Sequence, residues 1–266
     1  MKVGSGINNP NTLSQVKMQQ EQAMKQLVTG LKINSAQDDA AGLQIANRLS
    51  AQASGTQVAI RNANDAFSLA SVADSALSGV TDASNRINEL SLRAANGSLS
   101  AADRSAIQQE INQLQGQVSD IQSNTSFGGQ QLFNQSSNNQ FQVGAGANTT
   151  IGLGLPDLSS QVDALNQIDV TTQAGAQNAI TTTQQVSEEV NSARGQIGAF
   201  QNRVESTISN LSNQFEQTEA ARSRIEDTDF AQATAQNTQS SIQSQIGVAI
   251  QAQANVSQGQ ALNLLN

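Results

Sequence analysis

The C-terminal segment 231–266 contains no charged side chain, yet its apolar residues recur at helical spacing. The series is Ile242, Ile246, Ala249, Gln253 and Val256. A helix on the surface of a soluble protein normally presents charged residues to water on its other face. This segment offers Gln, Ser, Asn and Thr instead, so we expect a helix that is surrounded by other protein. A disordered low-complexity tail is the alternative, because an isolated uncharged helix gains little beyond its backbone.

Helical spacing also covers most of the remaining chain, in which proline is almost absent. Pro10 and Pro156 are the two prolines, so the long stretch between them lacks the commonest helix breaker. Apolar ladders with steps of three and four run over 13–31, 69–90, 107–121 and 186–215. The last ladder is long enough for coiled-coil packing. We therefore predict a mainly α fold, a long antiparallel helical hairpin or coiled-coil bundle.

The helical pattern is interrupted at a few places. Ser35 with Asp38 and Ser100 with Asp103 resemble capping boxes at helix starts. Glycines, asparagines and short alternating runs occupy 127–155, which predicts a small β-hairpin insertion of two or three short strands.

The composition excludes several classes of function. The net charge is −8, and no basic cluster is stronger than Arg222 with Arg224, so we expect no nucleic-acid partner. The chain has neither histidine nor cysteine, which removes the usual general base, thiolate nucleophiles and the commonest metal ligands. We therefore predict no enzyme activity, no cofactor and no metal site.

The chain also lacks the apolar segments that direct proteins to membranes. No run of about 18 apolar residues occurs, so we expect no membrane span. The first ten residues have one lysine and no apolar core, so they do not resemble a cleaved signal peptide. If the protein is secreted, it follows another route.

Several short motifs have simpler structural readings. The carboxylates of Asp38 and Asp39 suit a helix start, where the macrodipole favours negative charge. The run 144–146 is read as a turn in the β insertion and not as a dinucleotide loop, because no third glycine and helix follow. Sequons at Asn124, Asn134 and Asn148 are read as chance matches in a chain rich in Asn, Ser and Thr.

Longer motifs at both ends, in the same order, resemble those of bacterial flagellins. Residues 26–43 read QLVTGLKINSAQDDAAGL, which is similar to the N-terminal signature of that family, and RNAND at 61–65 and IQQEI at 107–111 continue it. Near the other end, GAFQNRVE at 198–205, ARSRIEDTDF at 221–230 and LNLL at 262–265 are similar to the C-terminal signature.

The resemblance implies an extracellular structural subunit that polymerises into the helical filament of the bacterial flagellum for motility. It implies residues 1–42 as an inner-tube helix with its connector, 43–228 as a middle rod domain, and 229–266 as the second inner-tube helix. Variable outer domains are expected to be missing, because only 156–172 separates the β element from the returning helix. Export unfolded through a type III pathway, without a cleaved signal peptide, is also implied.

Site residues and partners follow from the same resemblance. We expect tube assembly through Leu13, Val16, Leu27, Leu31, Ile242, Ile246, Ala249, Ile250, Val256, Leu262, Leu264 and Leu265. Candidates for the wall of a central channel are Gln243, Gln251, Gln253 and Gln258. Arg86, Leu90 and Glu110 are the implied contacts of a host Toll-like receptor or of the filament lattice. The implied partners are further copies of the chain, an export chaperone, and the filament cap and hook-filament junction proteins.

Two other functions fit part of the pattern. A secreted coiled-coil translocator or a filament cap or junction protein would also be long and helical, but would form short oligomers. A carbohydrate-active enzyme is less well supported, because rods offer no concave site for a carboxylate pair.

Overall fold

The computed structural model describes residues 10–265, with side-chain surroundings given for residues 12–254 and for Val256. Within this range the chain forms six helices and four short strands. The helices are α1 (Pro10–Thr29), α2 (Ala40–Ala94), α3 (Ala101–Asn124), α4 (Ser159–Asn166), α5 (Gln173–Glu226) and α6 (Phe230–Leu265). The strands are β1 (Ser126–Phe127), β2 (Gln130–Gln131), β3 (Ser137–Gln142) and β4 (Thr150–Leu155). The predicted mainly α fold with a small β-hairpin insertion is confirmed.

The chain divides into two compact units, which are described separately. One unit contains residues 54–215, and the other contains residues 1–53 together with 216–266. The divisions fall inside α2 and α5, because each of these helices contributes residues to both units.

In the 54–215 unit, α2 and α5 pack in antiparallel orientation along their apolar ladders. The buried residues of α5 follow steps of three and four, namely Val186, Val190, Ala193, Ile197, Phe200 and Val204. The Ser84 hydroxyl donates to the Thr183 carbonyl (3.2 Å), and the Arg194 guanidinium pairs with Asp74 (2.9 Å). The apolar ladder predicted for α5 is therefore buried, and two polar contacts at different positions along the helices join α5 to α2.

Helices α2 and α3 form a hairpin around a short turn. Ser100 caps α3: its hydroxyl accepts from the Asp103 amide, and the Asp103 carboxylate accepts from the Ser100 amide. Arg104 donates to the carbonyls of Ala94, Asn96 and Leu99, which fixes the turn between the two helices. The capping box predicted at Ser100 is confirmed. The Ser100 hydroxyl also donates to the Asp103 carboxylate (2.7 Å), and this bond, followed by that from the Ser100 amide, lowers the Asp103 pKa.

The β element consists of two antiparallel hairpins, so it has more strands than the sequence predicted. Strand β1 pairs with β2, and β3 pairs with β4 in a register that joins Phe141 to Ile151. The loop after β3 approaches α2 closely, since a Cβ placed on Gly55 would lie 2.9 Å from Ala145 Cβ. Glycine at position 55 therefore allows the hairpin to lie against the helix.

Helix α4 was not anticipated from the sequence. It has eight residues, too few for a helical period to emerge from background, although Leu158, Val162 and Leu165 are buried at steps of four and three. The buried Gln115 side chain of α3 donates to the Leu165 carbonyl (2.7 Å). This contact holds the end of α4 against α3.

The second unit is built on α1 and α6, which pack against each other. The connectors beside them are joined by an isolated bridge between Leu31 and Asp227. The Lys32 amide donates to the Glu226 carbonyl (2.6 Å), and the Thr228 amide donates to the Gly30 carbonyl (3.0 Å). Along the described part of the chain, no helix has the length and hydropathy required to cross a membrane.

Candidate assembly surface on the terminal helices

The contact between α1 and α6, called here the seam, is formed by one face of each helix. On α1 it contains Leu13, Val16, Gln20, Ala23 and Leu27, which are buried or half-buried at steps of three and four. On α6 it contains Ala233, Asn237, Ser240, Ser244 and Gly247, with the same alternation. Aliphatic side chains of α1 therefore pack on small and polar side chains of α6.

Small residues on α6 allow the two helices to approach closely. Ala233, Ser240 and Gly247 recur every seven residues, and Ala254 continues the series. A Cβ placed on Gly247 would lie 3.1 Å from Leu13 Cδ1, so the helices are already near van der Waals contact there. The sequence contains this seven-residue recurrence of Ala, Ser and Gly, but a search for large apolar residues does not detect it.

The seam also contains a polar defect at Asn237. Its Nδ2 donates to Met24 Sδ (3.7 Å), while its Oδ1 is buried without a hydrogen-bond partner. A buried carbonyl without a partner costs on the order of 1–3 kcal/mol. Among the described residues, the seam buries few large side chains on the α6 side, and the Asn237 carbonyl adds this cost, so the pair of helices is weakly held by its own contacts.

The opposite face of α6, called here the outer edge of α6, carries the predicted aliphatic series. It consists of Ile242, Ile246, Ala249, Gln253 and Val256. Ala249 lies nine residues after Ser240, about two and a half turns, which places it on the side away from α1. Ile242, Ile246 and Val256 are 52%, 49% and 56% exposed. An isolated subunit therefore presents large aliphatic side chains to water along an uncharged helix.

The predicted assembly residues fall into three groups. Leu13, Val16, Leu27, Leu31 and Ile250 are half-buried, whereas Ile242, Ile246, Ala249 and Val256 are exposed. The side chains of Leu262, Leu264 and Leu265 lie outside the described residues. Within one subunit, the apolar face of α1 packs on the small face of α6 and does not meet the outer edge of α6. The two apolar faces are therefore not paired with each other inside one subunit.

Glutamines line a groove beside the seam. The groove has a volume of about 320 Å³ and is lined by Gln19, Gln232, Ala235, Gln236, Gln239, Ser240 and Gln243. Of the predicted channel residues, Gln243 lines this groove, and Gln251 and Gln253 are exposed. Gln251 and Gln253 are two residues apart, so a helix points them to nearly opposite sides. The Gln258 side chain lies outside the described residues.

The connector before α2 is fixed by an aspartate. The Asp38 carboxylate accepts hydrogen bonds from the Asn34 amide (3.0 Å), the Ser35 amide (2.9 Å) and the Ser35 hydroxyl (3.0 Å). These bonds, led by that of Asn34, hold the Asp38 pKa below its ordinary value. Asp39 in turn accepts from the Gly42 amide (2.8 Å) at the start of α2. The structural role predicted for this carboxylate pair agrees with these contacts. The helix start predicted at Ser35 is wrong, because Ser35 and Asp38 close a turn and α2 begins at Ala40.

The predicted receptor or lattice patch in the 54–215 unit is only partly accessible. Arg86 forms ion pairs with Glu110 (2.7 Å) and Glu89 (3.0 Å), and these partners raise the Arg86 pKa, with Glu110 the larger cause. Leu90 is 3% exposed and belongs to the core. The part of the patch that a partner can contact is therefore formed by Arg86 and Glu110.

Comparison with known proteins places this architecture in a family. Residues 4–138 match the bacterial flagellin N-terminal helical region, and residues 178–265 match the bacterial flagellin C-terminal helical region. A flagellin from Halalkalibacterium halodurans is 38% identical over 250 residues, covering 93% of this chain and 92% of that protein. Flagellin B from Vibrio anguillarum is 32% identical over 350 residues, covering 92% of this chain and 93% of that protein.

Solved structures agree with the helical architecture. The crystal structure of Bacillus cereus flagellin matches with a TM-score of 0.53 and 25% identity, covering 57% of this chain and 88% of that one. A putative flagellar hook-associated protein from Vibrio parahaemolyticus matches with a TM-score of 0.62 and 15% identity, covering 71% of this chain and all of that one. The second match supports the fold alone.

The alignments also show that this chain is shorter than one of its relatives. The alignment with the Vibrio anguillarum protein runs over 350 positions, more than the 266 residues of this chain, so that relative contains residues without a counterpart here. The two matched helical regions are separated only by residues 139–177. The chain belongs to the bacterial flagellin family as a short form, a structural protein and not an enzyme, and it is a subunit of the extracellular flagellar filament.

Proposed function

We propose that subunits assemble chiefly through the outer edge of α6, with the paired terminal helices forming the inner tube of the filament. The observation that carries this proposal is the half exposure of Ile242, Ile246 and Val256 on a helix without charges. Burial of each such side chain contributes about 1.5–3 kcal/mol. Identical residues recur from subunit to subunit in a filament, so a charge here would face its own copies and be repelled.

Electron microscopy of the purified chain after induced polymerisation tests this proposal. Long helical tubes are expected. Short closed oligomers, the behaviour of a translocator or cap protein, would contradict it.

We further propose a division into inner-tube segments 1–42 and 229–266 and a rod domain 43–228. The bridge between Leu31 and Asp227 supports it, because it joins the connector after α1 to the end of the rod domain, two residues before the segment 229–266 begins. The expected radial order in a filament map is inner-tube segments near the axis and the rod domain outside. The reverse order would rule the division out.

The groove beside the seam is the proposed wall of the export channel. Gln243 and the neighbouring Gln19, Gln236 and Gln239 offer amides without charge. Such a wall neither attracts nor repels an unfolded chain of either sign during its passage. Gln253 belongs to the outer edge of α6, so it is the weakest of the four predicted channel residues, while Gln251 and Gln258 remain candidates. A filament map with charged side chains or a closed lumen at this surface would be inconsistent with the proposal.

Before assembly, the outer edge of α6 exposes apolar side chains to water. We propose that an export chaperone binds this edge and shields it. The subunit would then pass unfolded through the flagellar type III pathway without cleavage of a signal peptide. Truncation after Phe230 removes the whole edge and is expected to abolish chaperone binding in isothermal titration calorimetry. The Arg86→Ala variant, altered in the other unit, serves as the control and is expected to bind normally. Unchanged binding by the truncated chain would exclude α6 as the chaperone site.

Filament ends leave the same edge uncovered, and we propose that the cap and hook-filament junction proteins contact it there. Because the isolated subunit exposes the same edge, Ile246→Lys is expected to lower the binding of labelled cap protein to the monomeric subunit in a pull-down assay. Binding equal to that of the unmodified monomer would assign the cap contact elsewhere.

A host Toll-like receptor is a further proposed partner, through Arg86 and Glu110. Both side chains are about half exposed and form a charge pair that a polar receptor surface can contact. The double variant Arg86→Ala with Glu110→Ala is expected to lower receptor signalling by at least tenfold, since each charged contact contributes on the order of 1–3 kcal/mol. Lys17→Ala in the other unit is the control. Unchanged signalling by the double variant would show that the receptor does not bind through Arg86 and Glu110.

A further inference from the structure

We infer that Asn96 undergoes self-deamidation, with the Gly97 backbone nitrogen as the attacking group and Ser98 as the donor that activates the Asn96 side-chain carbonyl. The three residues form the turn between α2 and α3. Because the reaction takes place within one subunit, it does not depend on the proposed assembly function.

The sequence singles out this turn, because Asn96–Gly97 is the one Asn-Gly pair in the chain. Deamidation begins when the backbone nitrogen of the following residue attacks the asparagine Cγ and closes a five-membered ring. Glycine has no Cβ to obstruct this approach, and its backbone adopts conformations that other residues avoid. Since the attacking nitrogen and its target belong to neighbouring residues, they are held close together at all times.

The attacking nitrogen is also free of hydrogen bonds in the structure. Among the described residues, the Gly97 amide has no acceptor, and both Asn96 and Gly97 are exposed. The two Asn-Ser pairs of the chain differ in this respect. The Ser35 amide donates to Asp38 (2.9 Å), and the Ser192 amide lies within α5. The turn at Asn96 therefore combines the least hindered sequence with an unengaged nitrogen.

Ser98 binds the oxygen on which negative charge develops. Its amide and its hydroxyl donate to the Asn96 Oδ1 at 3.1 Å and 3.0 Å. A backbone amide can only donate, so the Asn96 atom that faces it is the oxygen and not the nitrogen. Attack on Cγ moves electrons onto this oxygen, and two donors directed at it stabilise the intermediate as in an oxyanion hole. Within the described part of the chain, the Asn96 Nδ2 has no hydrogen bond that would retain it.

The reaction balances with water as its only co-reactant. The Gly97 nitrogen loses its proton to water as it bonds to Cγ, and the bond from Cγ to Nδ2 then breaks. Nδ2 takes up a proton and leaves as ammonia, so a succinimide ring remains. Water adds to one of the two ring carbonyl carbons and breaks the bond from that carbon to the Gly97 nitrogen. Opening at Cγ gives aspartate, and opening at the main-chain carbon gives isoaspartate.

Arg104 is placed to favour the isoaspartate product. Its Nη2 donates to the main-chain carbonyl of Asn96 (3.1 Å). In isoaspartate this carbonyl becomes part of a free carboxylate, so the new charge forms beside a guanidinium that already points at it. Each converted subunit gains one negative charge at this turn, and the converted fraction of an extracellular filament therefore rises with its age.

Peptide mapping with heavy-oxygen water tests the inference. The folded chain is kept at neutral pH in this water, sampled over several weeks, and digested with trypsin in ordinary water. Cleavage after Arg93 and Arg104 isolates residues 94–104. The expected result is a growing fraction of this peptide in which one heavy oxygen has replaced the amide nitrogen, part of it labelled by an isoaspartyl methyltransferase. Asn96→Gln is the control and is expected to lose this signal completely.

A matched pair of variants tests the role of Ser98. Ser98→Ala removes the hydroxyl but keeps the amide, and it is expected to slow conversion about tenfold, less than the roughly hundredfold loss for an oxyanion donor in a site shielded from water. Ser98→Thr keeps the hydroxyl and is expected to convert at nearly the unmodified rate. Circular dichroism checks that both variants have the helix content of the unmodified chain.

Gly97→Ala tests the attacking nitrogen separately and decides the matter if Ser98→Ala does not fold. Its Cβ would lie 3.7 Å from Gln173 Nε2, an ordinary contact, so the fold has room for it. Slower conversion of this variant is expected. Equal rates for the unmodified chain and the folded variants at 97 and 98 overturn the inference. It is equally overturned if residues 94–104 of the folded chain take up no heavy oxygen while a synthetic peptide of the same sequence is converted. Neither result bears on filament assembly, which electron microscopy measures independently.

Discussion

Ile246→Asp is expected to abolish filament formation while leaving the isolated subunit folded. Ile246 is half exposed in the subunit, so the aspartate remains hydrated there and its effect on the free energy of unfolding is small. In the filament, the substitution removes about 1.5–3 kcal/mol of apolar burial from each contact. It also places a carboxylate in a dry interface, where an unpaired charge is strongly unfavourable.

The measurement combines sedimentation of polymer with far-ultraviolet circular dichroism and thermal unfolding of the monomer. Ile246→Leu keeps the volume and hydropathy of the site, and is the matched control that should still polymerise. Normal filament length for Ile246→Asp would show that the outer edge of α6 is not an assembly surface. Loss of helix content in the monomer would assign Ile246 to the fold of the subunit.

Ser240→Leu is expected to separate α1 from α6 and to reduce polymerisation strongly. Ser240 is 3% exposed in the seam, where small side chains allow the helices to approach closely. A leucine overpacks such a site and typically costs about 1–3 kcal/mol. Because the seam already contains the unpaired Asn237 carbonyl, it has little stability to lose.

For this variant, the readouts are the helix content of the monomer and the critical concentration for polymerisation. A rise in critical concentration of about tenfold or more is expected, since a tenfold change in an equilibrium corresponds to roughly 1.4 kcal/mol. Ser240→Ala retains a small side chain and is expected to behave almost as the unmodified chain. A Ser240→Leu variant with unchanged critical concentration would show that the close approach of the two helices is unimportant for assembly.

The long helices were predictable from the sequence, because their apolar ladders extend over many turns. The ladder of α5 from Val186 to Val204 is buried as the spacing predicted, and Ser100 caps α3 as expected. Helix α4 was missed because its eight residues are too few for a period to be recognised. The helix start predicted at Ser35 is wrong: residues 35–38 form a turn, in which Asp38 accepts from the Asn34 and Ser35 amides, and α2 begins only at Ala40.

In the candidate site, too, large apolar side chains were predictable from the sequence and small ones were not. The aliphatic outer edge of α6 was found from the sequence, because Ile and Val stand out against an uncharged background. The seam was not found, because Ala233, Ser240 and Gly247 contribute steric fit and not hydropathy. Within the subunit, α6 meets α1 through its small face. The three-dimensional pairing therefore leaves the aliphatic face of α6 exposed.

Helical reconstruction by electron cryomicroscopy of filaments grown from the purified chain is the most direct test of this account. The expected map places Ile242, Ile246 and Val256 in contacts between subunits, with the glutamine groove facing the lumen. A map in which these three side chains face the lumen or the outer solvent would contradict the assignment of the α6 outer edge as the assembly surface.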